Sequence, residues 1–316
     1  MWRRLFLAII ITFVSIGIGA VVGASSKTMG IRIHAKDLTE YGLTIVRPSD
    51  PEFETVARAS IKDLSKEELE LLRPLSVGIK NNTSKAVVAH SVVWAGTTHE
   101  GATKLYNVTY ANSEFFTDRD EFVRTVTGNL NMTIEPGKAL LLTLVTLRRG
   151  GPGGGGGGSR DSQDTISNEQ TSENESLSSS LTALRSEIMS YADITVSIDG
   201  VFFEDGTFVG PDTLGFFDRM KGQVEAKRDL RNFISQSLAS KKAESEIYEE
   251  IERLALLDVK GPSGQTTLAE HKNYFTRFFA QLLLAQRQTY GDSPTLQKAV
   301  RSQSAPQPEI TRLSEH

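Results

Sequence analysis

The sequence predicts an α+β fold, an antiparallel β-sandwich followed by a helical region. Three observations carry this expectation. Period-two stretches separated by turn residues run from Met29 to Leu147. A further strand pattern, Ile194–Val209, follows a glycine-rich run. Helical periodicity fills most of what remains.

The predicted elements begin with strands. Ile31 and Ile33 alternate with Arg32 and His34, and Leu43–Val46 is a second short candidate. A helix follows with readable ends: Ser65 and Glu68 form a capping box, and Pro74 stops the helix. From Leu75 the rhythm returns to period two in "LSVGIKN", "AVVAHSVVW" and "KLYNVTY", with Asn81–Lys85 as a turn. A short helix capped by Asp118 is expected next, with Glu121 three residues on. "LNMTI" and "ALLLTLVTL" flank Glu135-Pro136-Gly137-Lys138, whose proline and glycine suit a type II turn. Short strands at this spacing predict a sandwich of the Ig-like kind over residues 29–212.

Residues 149–180 interrupt it. Six consecutive glycines lie within this segment, and Ser159–Ser180 has only Ile166 and Leu177 as aliphatic residues. So little apolar surface cannot offset the entropy of ordering, and disorder is expected. Beyond the segment, Asp205-Gly206 between Phe203 and Phe208 reads as a hairpin turn. A lone hairpin is marginal in water, and no strand is expected after Asp212, so its partners should precede the glycine run. The segment is therefore read as an insertion in one β-domain. A domain linker is the alternative.

Residues 213–290 read as three helices. Asp212 is a candidate cap for the first, over Thr213–Ser240, whose apolar stripe slips near Gly222. The second covers Lys242–Leu257, before the breaker Gly261-Pro262. The third starts at the capping box Thr267–Glu270 and ends at Gly291. Residues 291–316 carry three prolines and read as a flexible tail.

The N-terminus lies outside the fold. Arg3 and Arg4 precede the uncharged stretch Leu5–Ala24, and Val22-Gly23-Ala24 offers small residues for cleavage before Ser25. Residues 1–24 therefore read as a signal peptide. An N-terminal membrane anchor is the other reading, because about 20 apolar residues suffice to span a bilayer. Either places the chain outside the cytoplasm. There is no cysteine, which excludes thiolate chemistry and lipoprotein anchoring. Asn81, Asn82, Asn107, Asn131 and Asn174 open N-x-[ST] sequons, read as chance matches. With 35 basic and 39 acidic residues and no basic cluster beyond the first residues, no nucleic-acid partner is expected.

Candidate chemistry is sparse. Asp199, Glu204 and Asp205 suggest calcium, but their spacing is not that of a calcium loop, and turn geometry explains each Asp-Gly. His90, His99 and Glu100 are the candidate metal ligands, since imidazoles and carboxylates share catalytic zinc sites. They lack H-E-x-x-H spacing, so structural or surface roles compete. His271 lies on the apolar stripe of the third helix and reads as a core histidine rather than a base. Neither a nucleophile elbow nor a phosphate loop is present.

"VSIDGVFFEDGTFVGPD", Val196–Asp212, resembles a segment of uncharacterised exported bacterial proteins in which a β-sandwich precedes a helical C-terminal part. The resemblance implies that order of parts and no activity. The expectation is a non-catalytic binding or structural module of the cell envelope. Its partner is an envelope protein or polymer, no cofactor is expected, and the membrane is met only through residues 5–24. The competing class is an extracytoplasmic metal-dependent hydrolase with a site between sandwich and helices, using His90, His99 and Glu100. A cleaved signal predicts a mature N-terminus at Ser25 in the extracytoplasmic fraction. N-terminal sequencing checks this, and Met1 retained in the membrane fraction would establish the anchor.

Overall fold

A computed structural model describes residues 32–62, 64–111, 133–144, 186–259, 266–301 and 309–313. The signal or anchor, the Asp118-capped helix and the 149–180 insertion lie outside the described residues. The chain divides into two compact units, Met1–Tyr110 with Val126–Val201, and Ala111–Thr125 with Phe202–His316.

Among the described residues, the first unit contributes to two sheets. One orders β2 (Leu43–Val46), β3 (Ser76–Asn81) and β6 (Ala139–Thr143), all antiparallel. Helix α1 (Phe53–Ser60) covers one face of it, together with α2 (Lys66–Leu72). Gly78 permits this contact, because a Cβ there would lie 3.0 Å from Val46 Cβ and 3.1 Å from Val56 Cγ1. Leu43, Ile45, Val77, Ile79 and Leu142, on the other face, are buried as well. The expected capping box is present: Ser65 Oγ accepts from the Glu68 amide at 3.1 Å and Glu68 accepts from the Ser65 amide at 2.8 Å. Helix α1 was not expected, although Phe53, Val56 and Ala57 carry the i, i+3, i+4 spacing that buries them.

The turns are built by local hydrogen bonds. Buried Asn81 donates through Nδ2 to the carbonyls of Lys85 and Ile134, each at 2.8 Å, and accepts from Thr83 Oγ1 at 2.7 Å. Gly137 takes φ of +71° and the Lys138 amide donates to Glu135 O at 3.0 Å, the predicted type II turn.

The other sheet of this unit places β4 (Val87–Thr97) between β5 (Thr103–Ala111) and β7 (Asp193–Phe203). Residues Val87–Trp94 of β4 are all buried, as their near-continuous apolar run requires of a central strand. Strand β1 (Arg32–Lys36) pairs with β7 in parallel, from Arg32 opposite Asp193 to Lys36 opposite Ser197. This sheet is therefore mixed, which corrects the purely antiparallel expectation. Alternation of side chains marks a strand but carries no record of its direction.

In the second unit, the end of β7 turns through Glu204–Gly206 into β8 (Thr207–Val209). Helices α3 (Phe216–Ala239), α4 (Glu244–Ala255), α5 (Leu268–Tyr290) and α6 (Asp292–Arg301) follow, and β9 (Thr311–Arg312) closes the described chain. The expectation of three helices and a flexible tail is corrected twice. Residues after Gly291 form α6, which buries Thr295 and Leu296 and tolerates Pro294 because its first turn needs no amide donor there. A strand also follows Asp212 after all, since β9 pairs with β8 in parallel.

The slip of the apolar stripe at Gly222 has a steric cause. Helix α5 crosses α3 there so closely that a Cβ on Gly222 would lie 2.8 Å from His271 Cβ and 2.9 Å from the Lys272 amide nitrogen. Further along, Arg287 joins three helices. Its guanidinium contacts Asp292 Oδ1 at 2.8 Å and Glu252 at 3.0 Å and stands 4.0 Å above the Tyr248 ring. The Tyr248 hydroxyl donates to Asp292 O at 2.9 Å. Gly222→Ala gains helix propensity of about 1 kcal/mol. Overpacking against backbone costs more, and a net loss of about 1–2 kcal/mol is expected in urea melts. An unchanged or raised midpoint would refute the close crossing.

Candidate functional site

The predicted metal ligands are not brought together. His90 lies inside β4 and is buried, whereas His99 and Glu100 are exposed in the turn that leads to β5. At about 3.3 Å per strand residue, the run from His90 to the strand's end is on the order of 20 Å. The Glu100 carboxyl is held below its ordinary value chiefly by a hydrogen bond from Thr98, which marks it as a turn group. Among the described residues no three His, Asp or Glu converge on a point.

His90 is instead a core residue. Its ring lies 5.6 Å from that of Tyr110, and neither ring nitrogen has a hydrogen-bond partner among the described residues. Burial lowers its pKa to about 4. His271 is sealed at the α3–α5 crossing, with its pKa lowered first by burial and then by the Arg219 cation. A base shielded in this way has no route to a substrate proton. Asp199 is buried in β7, and Asp205 accepts from the Thr207 amide at 3.0 Å, so the acids serve strand and turn rather than calcium.

Two polar clusters are structural locks. Tyr106 and Tyr191 join hydroxyls at 3.0 Å, and Glu187 accepts from Tyr191 while pairing with Lys104. Burial, then Tyr191, pushes the Tyr106 phenol well above its ordinary value, so it stays protonated and is no nucleophile. The groove of about 510 Å³ beside Glu252, Leu284, Gln288 and Asp292 contains Arg287, whose charge is already matched by the carboxylates described above.

A further arrangement, at the edge of β8, holds a segment that lies about 100 residues further along the chain. After Val209 the backbone bends sharply, with φ of +118° at Gly210 and +56° at Asp212. Aspartate tolerates the left-handed region because its short side chain bonds locally. The bend turns the Asp212 carboxylate inward, leaving 4% of its side chain exposed. Oδ1 accepts from the Phe217 amide at 3.0 Å, but the helix starts only at Phe216 with Gly215 as its N-cap, which corrects the expected cap at Asp212. Oδ2 pairs with the Arg312 guanidinium. That group also stands 5.3 Å from the Phe208 ring centroid and 4.8 Å from that of Phe217. Phe202 packs on Phe208 at 4.8 Å and stiffens this floor.

Backbone bonds complete the contact. The Thr311 amide donates to Gly206 O at 3.2 Å and the Leu313 amide to Phe208 O at 3.0 Å. Thr311, Arg312 and Leu313 are themselves exposed. Backbone hydrogen bonds, two cation–π contacts and one ion pair hold this segment against the entropy cost of ordering it.

Sequence reasoning missed this site, because Arg312 lies in a proline-rich stretch and Asp212 had an adequate role as a helix cap. Compared with known proteins, the chain matches no family model, no curated protein and no solved structure.

Burial of His90 has a pH consequence. Its folded pKa, about 4, lies below the ordinary 6.5. The unfolded chain therefore binds the proton first as pH falls. The stability of the neutral core is complete above 6.5 and declines between 6.5 and 4. At about 1.4 kcal/mol per pH unit the decline amounts to about 3 kcal/mol. His90→Leu should flatten it and leave stability at neutral pH equal or higher, since no polar group is then stranded. Urea melts at neutral and acidic pH check this. An undiminished decline in the variant would assign it to other groups.

Proposed function

We propose that this chain is an exported cell-envelope protein that acts as a non-catalytic binding module, with the edge of β8 as its recognition surface. The observation that carries the reading is that β8 holds the chain's own Thr311–Leu313 through backbone bonds and one charged anchor. Such an edge reads a polypeptide, because main-chain groups supply affinity and a side-chain pocket supplies selectivity. Of the expected partners, an envelope protein thus fits better than a polymer without amides. The charged N-terminus and the uncharged stretch after it support export. The net charge of −4 speaks against nucleic acid. We read the β-unit as an Ig-like sandwich with a parallel strand added at β1, supported by the burial of the β2-β3-β6 sheet on both faces. The competing metal-dependent hydrolase finds no support in the separate positions of His90, His99 and Glu100.

A photo-crosslinker in place of Thr207 tests the reading in cells of the source organism. The expected result is an adduct with one envelope protein, lost in Asp212→Asn. That variant keeps the bond to the Phe217 amide while removing the charge. Adducts with the chain's own tail alone would overturn the reading.

A further inference from the structure

We infer that the β8 edge recognises an extended segment carrying an arginine with no proline on either side, and that the chain's own Thr311–Leu313 closes the site in its absence. The inference rests on the reading of this edge as the recognition surface and names its partner's chemistry.

Three features define that chemistry. The first is the anchor. Asp212 presents a carboxylate that is almost wholly buried, and the rings of Phe208 and Phe217 flank the position of the incoming charge. A guanidinium meets both demands, since its plane stacks on aromatic rings while its edge donates to the carboxylate. An ammonium is a compact, strongly hydrated charge and loses the stacking. The second is the backbone. The residues before and after the arginine donate their amides to Gly206 O and Phe208 O. Proline has no amide and cannot stand at either position. The third is the freedom of the neighbours. Thr311 and Leu313 are exposed, so their side chains do not select.

The same geometry makes the tail a built-in competitor. A tethered segment competes at the effective concentration that its connection to the chain sets. A separate peptide must compete with that, so the edge admits only a partner of higher affinity or local abundance. Weakening the tail's anchor should open the site without altering its floor.

The test uses the full chain and a fluorescent peptide with the sequence of Glu309–His316, EITRLSEH. Anisotropy titrations compare wild type, Arg312→Ala and the double variant Arg312→Ala with Asp212→Asn. Arg312→Ala should bind the peptide about tenfold more tightly than wild type, because the internal competitor is lost. A peptide with lysine or alanine for its arginine, or proline for its leucine, should lose most of this binding. The double variant should lose it while keeping the wild-type melting curve. Equal binding by wild type and Arg312→Ala, or equal binding of the arginine and alanine peptides, would overturn the inference. So would a concentration-dependent dimer of wild type that Arg312→Ala abolishes, since the occupant would then be a second copy. If the peptide fails while Thr207 still yields its adduct in cells, the recognition surface stands and the arginine rule falls. Loss of both removes the surface as well.

Discussion

Strand β7 must find partners for the backbone groups of eleven residues, most of them buried, and β1 and β4 are placed beside it by that need. A buried amide or carbonyl left unpaired costs about as much as a lost hydrogen bond, so a strand this long cannot stand alone. Its first half is satisfied by β1, about 160 residues earlier in the chain, and β4 runs along its other edge. Asp193 marks the register of the parallel pair, accepting from Arg32 at 3.1 Å and approaching His34 at 3.2 Å. These exposed ion pairs contribute little energy. Ile194, Val196 and Ile198, all buried, supply the apolar burial that drives the pairing.

The helices of the second unit meet a different constraint, the close approach of two long cylinders. Glycine at position 222 lets α5 lie against α3 at backbone distance. Ala226, Leu230 and Ile234 of α3 then build one core with Ile247 and Ile251 of α4 and with Phe275 and Phe279 of α5. Arg287 and Tyr248 fix the far end, where α6 returns along the bundle. The expected amphipathic stripes thus enclose a core, and the glycine that breaks the first stripe is the point of contact.

The binding reading follows from contrast. Elsewhere among the described residues, charged and polar clusters lock elements of the fold, as at Arg287, Asn81 and the Tyr106–Tyr191 pair. At β8 a similar combination of carboxylate, rings and backbone carbonyls holds a segment that the rest of the unit does not need for its core. Asp212 takes a left-handed backbone conformation to face it.

The sequence by itself determined what is decided within a few residues. Both capping boxes, Ser65 with Glu68 and Thr267 with Glu270, the Pro136-Gly137 turn and the three long helices were legible, because their interactions span about one turn of chain. The short helix α1 and the final helix α6 carried the same kind of signal, obscured by Pro51 before α1 and Pro294 in the first turn of α6. Tertiary structure decided the rest. The parallel direction of β1 and the burial of His90 with no hydrogen-bond partner among the described residues depend on which strands meet. The meeting of Asp212 with Arg312 joins residues 100 positions apart. No local preference encodes such a contact, because its free energy appears only after the intervening helices have packed and brought both ends to one edge.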